Sequence, residues 1–160
     1  MPNHFVNIAE MKVCREPDTV YAVGLGSCIG VVMFDPSTKI AGMLHVLLPS
    51  SEGFDMSKNV KTKFADLGVK VLLEAMLKEG ARKQSLWAKM AGGAMMFPSK
   101  SDLVGTVGER NIAACRKSIQ ELGIRLIAED VGGTKGRTVE LNTTTGELKV
   151  KIVQVGEKYI

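Results

Sequence analysis

The stretch VGLGSCIGVVMFD, residues 23–35, decides the fold through the residues on the C-terminal side of its glycines. Gly24-Leu25-Gly26 opens as a dinucleotide-binding fingerprint would, but Ile29 stands where a third Gly or Ala is needed. Val31-Val32-Met33-Phe34 then continues as strand chemistry, so no helix N-terminus is offered to a pyrophosphate. Walker A spacing is absent as well. The glycines therefore punctuate β-strands, and the nucleotide-binding interpretation fails.

Outward from that break, residues 19–25 are β-rich and end at glycine. Residues 29–34 and 40–48 form two further strands, joined through Asp35-Pro36-Ser37-Thr38-Lys39 as a hairpin. From Asn59 to Glu79 the apolar residues Val60, Phe64, Leu67, Val71 and Ala75 recur at spacings of three and four, and Gly80 stops them, which predicts an amphipathic helix. Residues 86–91 predict a strand running into the turn Gly92-Gly93. A second helix is predicted over 109–122, with Ile112, Cys115, Ile119 and Leu122 on one face and Gly123 as its stop. Cys115 accordingly belongs to the core. Strands at 124–129, 137–142 and 148–154 complete the pattern, the last two joined by Thr143-Thr144-Thr145-Gly146. Residues 50–57, rich in Ser, Gly and Asp after Pro49, are expected to be the least ordered stretch. No repeat or composition break divides the chain. Residues 1–160 are expected to form one domain, a layered α/β sandwich of mixed and antiparallel sheets with two main helices.

A chain of 160 residues is long enough for one full core and short for two. Its 45% apolar and 24% charged residues match soluble usage, and no run reaches the roughly 20 apolar residues of a membrane span. The N-terminus has no secretory pattern, so a cytoplasmic location without membrane insertion is expected. Cys14, Cys28 and Cys115 form no C-x-x-C pair, and His4 and His45 lie far apart. Free thiols and no metal are therefore expected. The net charge of +4 suits an acidic partner. Aromatics at 5% and the lack of any nucleic-acid motif argue against DNA or RNA.

Gly26-Ser27-Cys28-Ile29-Gly30 has the spacing of a nucleophile elbow, without the strand–turn–helix context of that motif. Small residues permit the tight backbone, and successive amides around Gly26, Ser27 and Cys28 can donate to an oxyanion. A thiol becomes a nucleophile beside a base or cation, and only two histidines exist to supply one. His4 is placed in a mobile terminus. His45 lies in the next strand along the chain, and pairing about the 35–39 turn puts the residue opposite Cys28 near position 46. On the residues alone Cys28 has two roles open to it, an inert small core residue or a nucleophile with its base. A redox role has no resolving cysteine nearby in sequence.

Gly24-Leu25-Gly26-Ser27-Cys28, with His45 seventeen residues on, resembles the chemoreceptor glutamine deamidases of bacterial chemotaxis, the CheD family. The likeness continues through Ala91-Gly92-Gly93-Ala94-Met95-Met96-Phe97, Gly108-Glu109-Arg110-Asn111, and Ala128-Glu129-Asp130-Val131-Gly132-Gly133 with Arg137. The resemblance implies an α/β sandwich similar to the deamidating domains of certain bacterial toxins. It also implies a hydrolase of the protein-glutamine glutaminase type, which converts glutamines of methyl-accepting chemotaxis receptors to glutamate and also hydrolyses glutamyl methyl esters there. A CheC-type phosphatase is the implied further partner, and no cofactor is implied.

Carried over by position, Cys28 is the nucleophile and His45 the general base and acid, with Ser27 and Gly26 as turn and oxyanion support. The family's threonine six residues before the cysteine falls on Ala22, which has no side-chain hydrogen bond to give. A backbone carbonyl, or a hydroxyl such as Thr19 or Ser27, then orients His45, or turnover is slow. The rival function is an adaptor that binds chemoreceptors or CheC with weakened catalysis. Gly92-Gly93 and Gly132-Gly133 are expected to be tight turns rather than substrate contacts.

Overall fold

The strands Ile29–Asp35 and Ile40–Val46 are buried at every residue, so they require cover on both faces. A computed structural model, which describes residues 2–96 and 106–160, supplies it with three layers. The strands are β1 (Asn3–Phe5), β2 (Met11–Arg15), β3 (Thr19–Leu25), β4 (Ile29–Asp35), β5 (Ile40–Val46), β6 (Trp87–Gly92), β7 (Arg125–Val131), β8 (Arg137–Asn142), β9 (Leu148–Ile152) and β10 (Gly156–Tyr159). The helices are α1 (Ala65–Lys78) and α2 (Val107–Glu121). One sheet runs β1-β3-β8-β9-β10 and the other β2-β5-β4-β6-β7. Only β1 with β3 and β6 with β7 pair parallel among the described strands. The chain is thus one α/β domain of two mixed sheets, as expected.

Alternation along β4 feeds two cores. Ile29, Val31 and Met33 point to the helices, meeting Val69, Leu72 and Met76 of α1 and Ile112, Cys115 and Ile119 of α2. Cys28, Val32 and Phe34 point to the other sheet, meeting Val20, Ala22, Leu25 and Val139. Each fully buried Leu, Ile or Met side chain contributes about 1.5–3 kcal/mol. α1 sits close over β5 because position 42 is glycine: a Cβ there would come within 2.8 Å of both Leu72 and Met76.

Several expectations are corrected. The first helix begins at Ala65 rather than Asn59, because Lys61–Lys63 form a separate 3₁₀ turn and Phe64 is extended, bridging to Leu48. Its buried stripe is Ala65, Gly68, Val69, Leu72, Leu73 and Met76, so Leu67, Val71 and Ala75 lie only at its flank. His4 is not in a loose terminus: β1 pairs with β3, and His4 Nε2 lies 2.8 Å from Asp18. Residues 50–57 are irregular as read, yet Ser51 is tied to Asp66 and Ser57 to Asp55. The short strands β1, β2 and β10 have too little apolar alternation to be read from sequence. Phe97 of the second resemblance block lies outside the described residues.

Candidate active site

The hairpin register places His45. Ile29 pairs with Val46 and Gly30 with His45, one step from the register expected from sequence. Asp35 extends β4 and pairs with Ile40, which shortens the loop and moves the whole ladder. A one-residue slip exchanges faces. In the expected register His45 would face away from Cys28; in the observed one both belong to the inter-sheet face, as diagonal neighbours. His45 gives its own N–H to Glu10 and accepts from Ala9, so its pairing with Gly30 is of the non-hydrogen-bonded kind, in which side chains come closest. Opposite the imidazole stands Gly30, and that face is covered by Leu25 and Val139: a Cβ there would lie 3.2 Å from Leu25 Cδ1 and 3.6 Å from Val139 Cγ2.

The turn before β4 is held by its carbonyls. Gly26 O accepts from Ala94 N at 2.8 Å, Ser27 O from Asn111 Nδ2 at 2.9 Å, and Cys28 O from Gly93 N at 2.9 Å. Among the described residues, the amides of Ser27 and Cys28 donate to no backbone carbonyl. The three carbonyls of the turn are thus bonded into the protein, and the Cys28 amide lies against its own sulfur. A cavity of about 280 Å³ opens beside this turn, lined among others by Ser27, Ala94, Met96, Thr106 and Val107. Cys28 itself retains 8% of its surface.

His45 Nδ1 lies 3.4 Å from the Val6 carbonyl oxygen. A carbonyl only accepts, so this contact favours the tautomer protonated at Nδ1 and leaves Nε2 with its lone pair. Nε2 is buried and without a hydrogen-bond partner among the described residues. Burial pushes the His45 pKa below its ordinary value, with the Val6 carbonyl acting in the opposite sense. Burial pushes the Cys28 thiol up, opposed by the amide of the same residue. Burial thus disfavours the charged form of each group, and no hydrogen bond joins the two among the described residues.

Ala22 is fully buried in the inter-sheet core, and the Val6 carbonyl occupies the Nδ1 side of His45. Thr19 is engaged elsewhere, its hydroxyl donating to Asn3 at 2.6 Å, while Ser27 lines the cavity. Sequence reasoning missed Val6, whose part is played by the backbone and leaves no side-chain signal. It also gave Asn111 no role, although an amide on the apolar stripe of α2 was a visible anomaly.

A family model for CheD chemotactic sensory transduction matches residues 47–152. The chain belongs to the CheD family. It is 46% identical over 157 residues to a probable chemoreceptor glutamine deamidase CheD of Caldanaerobacter subterraneus subsp. tengcongensis, covering 97% of this chain and 96% of the relative. Similar figures hold for proteins of the same name from Clostridium botulinum strain Eklund 17B, 46% over 94% of this chain and 93% of the relative, and from Clostridium tetani, 44% over 97% and 94%. Alignments of that length take in Cys28 and His45, which precede the residues matched by the family model. The CheD blocks read in the sequence also meet in space. The 91–96 block holds the Cys28 turn, Asn111 holds Ser27, Gly132 N donates to Gly92 O at 2.9 Å, and Arg137 Nη1 donates to Gly132 O at 2.9 Å.

Proposed function

We propose that this chain hydrolyses the side-chain amide of selected glutamines in methyl-accepting chemotaxis receptors, giving glutamate and ammonia, with Cys28 as nucleophile and His45 as base and acid. The supporting observation is the placement of Cys28 and His45 on one face, beside a turn whose Ser27 and Cys28 amides donate to no backbone carbonyl among the described residues, in a chain of the CheD family. His45 Nε2 takes the thiol proton as Sγ bonds to the amide carbon, and the amides of Ser27 and Cys28 receive the oxyanion. Collapse breaks the C–N bond while His45 returns the proton to the departing nitrogen, which leaves as ammonia. Water, deprotonated by the same imidazole, then attacks the thioester, and the thiol departs with the proton. A glutamyl methyl ester would form the same thioester with methanol as leaving group. The reading needs no cofactor and assigns the protein to the cytoplasm. No helix among the described residues is long and apolar enough to cross a membrane. A CheC-type phosphatase belongs to the same reading as a regulatory partner.

The test is mass spectrometry of a purified receptor fragment with ammonia release measured in parallel. The wild type should add the mass of amide-to-acid conversion at particular glutamines, and Cys28→Ala should add none while remaining folded. His45→Ala should lose at least roughly a hundredfold in rate. Normal turnover by Cys28→Ala would refute the nucleophile. A wild type that binds the fragment and never changes its mass would be an adaptor instead.

A further inference from the structure

Asn111 has no exposed surface and sits on the buried stripe of α2 with Gly108, Ile112 and Cys115, where an amide is costly unless bonded. Its Nδ2 donates to Ser27 O at 2.9 Å and to Leu47 O at 3.0 Å. Those carbonyls stand one residue before Cys28 and two after His45. The β4–β5 ladder has its last rung at Ile29 and Val46, so Asn111 bridges the two strand ends just where their own pairing stops. Its Oδ1 is buried without a partner among the described residues, so the side chain is held by its donor side alone. The helix that carries it is closely seated: a Cβ at Gly108 would lie 2.5 Å from Gly93 O and 2.8 Å from Ala94 O.

We propose that Asn111 is a positioning residue for the deamidation, fixing the separation and orientation of Cys28 and His45 by clamping the two strand ends, without itself touching substrate. The inference rests on the Cys28–His45 reading. A clamp of this kind acts on alignment in the transition state, where displacements of about 1 Å cost up to a hundredfold. Asn111→Ala should therefore lower kcat by roughly ten- to a hundredfold while KM stays within about threefold. In a His45→Ala background the same substitution should cost less than about twofold, because no imidazole remains to be aligned. A merely structural role would reduce both backgrounds by one factor.

The experiment measures deamidation of the receptor fragment by wild type, Asn111→Ala, Asn111→Ser, His45→Ala, Cys28→Ala and the Asn111→Ala/His45→Ala double variant, each with its urea unfolding curve. Unchanged kcat in Asn111→Ala, equal losses in the two backgrounds, or loss of cooperative unfolding in both the Ala and Ser variants would overturn the proposal, the last by assigning Asn111 to stability alone. Failure of the underlying reading has a different signature, full turnover by Cys28→Ala whatever Asn111 does.

Discussion

His45 turns Nδ1 to the main chain of Val6 and leaves Nε2 without a partner among the described residues, while position 22 offers it no hydroxyl. Because burial lowers the His45 pKa and raises that of Cys28, the pH profile has a definite sense. In the proposed mechanism attack requires the neutral imidazole, so kcat/KM should fall on acidification with a midpoint below the ordinary histidine value of about 6.5. It should stay level through neutrality and decline again only above the ordinary thiol range, where ionised Cys28 no longer supplies the proton that ammonia carries away. Initial rates of ammonia release across pH check this. Activity that declines as pH rises through 6.5 would instead require a protonated imidazole from the start. The same shift acts on folding. The unfolded chain protonates His45 more readily, so its contribution to stability is complete above the unfolded pKa and is lost as pH falls toward the folded one.

Between strands, the decisive contact is that of the end of β6 with the Cys28 turn. Gly92 has φ +117°, and a Cβ there would lie 2.1 Å from Cys28 O. Gly123 also has positive φ, at +75°, but a Cβ would meet nothing within 4 Å. Gly92→Ala should therefore cost about 3 kcal/mol or more, strain plus overpacking, and deamidation should suffer with it. Gly123→Ala incurs the strain alone and should keep its activity, as urea unfolding and receptor assays on the pair would show. Most elements were legible at this scale. The long apolar run of β4, the Asp35-to-Lys39 turn and the α2 stripe each come from local pattern. The start of α1 was not, since Val60 and Phe64 imitate helical spacing while Phe64 is extended toward Leu48. β10 was not, since an exposed edge strand needs no apolar alternation. Of the candidate site, Cys28, His45 and the turn around Ser27 were named from the resemblance, and their roles rest on the proposed function. Their shared face depended on a single residue of hairpin register, which composition does not set.

Across the whole molecule the two sheets are joined at the site by Arg137, which starts β8 in one sheet and bonds the chain segment that leaves β7 in the other. It is 6% exposed, donates to Gly132 O at 2.9 Å and lies 3.3 Å from Asp130. Arg137→Ala would leave Asp130, among the described residues, only the surface Lys158, 3.2 Å away, and should cost about 3 kcal/mol, as for a buried pair that loses one partner. Urea unfolding reads that loss, and a change below about 1 kcal/mol would reduce the pair to a surface ion pair. No local pattern could have revealed this arrangement. The partners of β3 are β1 and β8, and Leu25 pairs with Arg137 across most of the chain. On the ribosome, Cys28 and the β4–β5 hairpin with His45 emerge long before β8 (Arg137–Asn142) is made. Val20 and Ala22 wait for their partners Leu141 and Val139 until then, and a chain cut before Arg137 should release no ammonia from the receptor fragment.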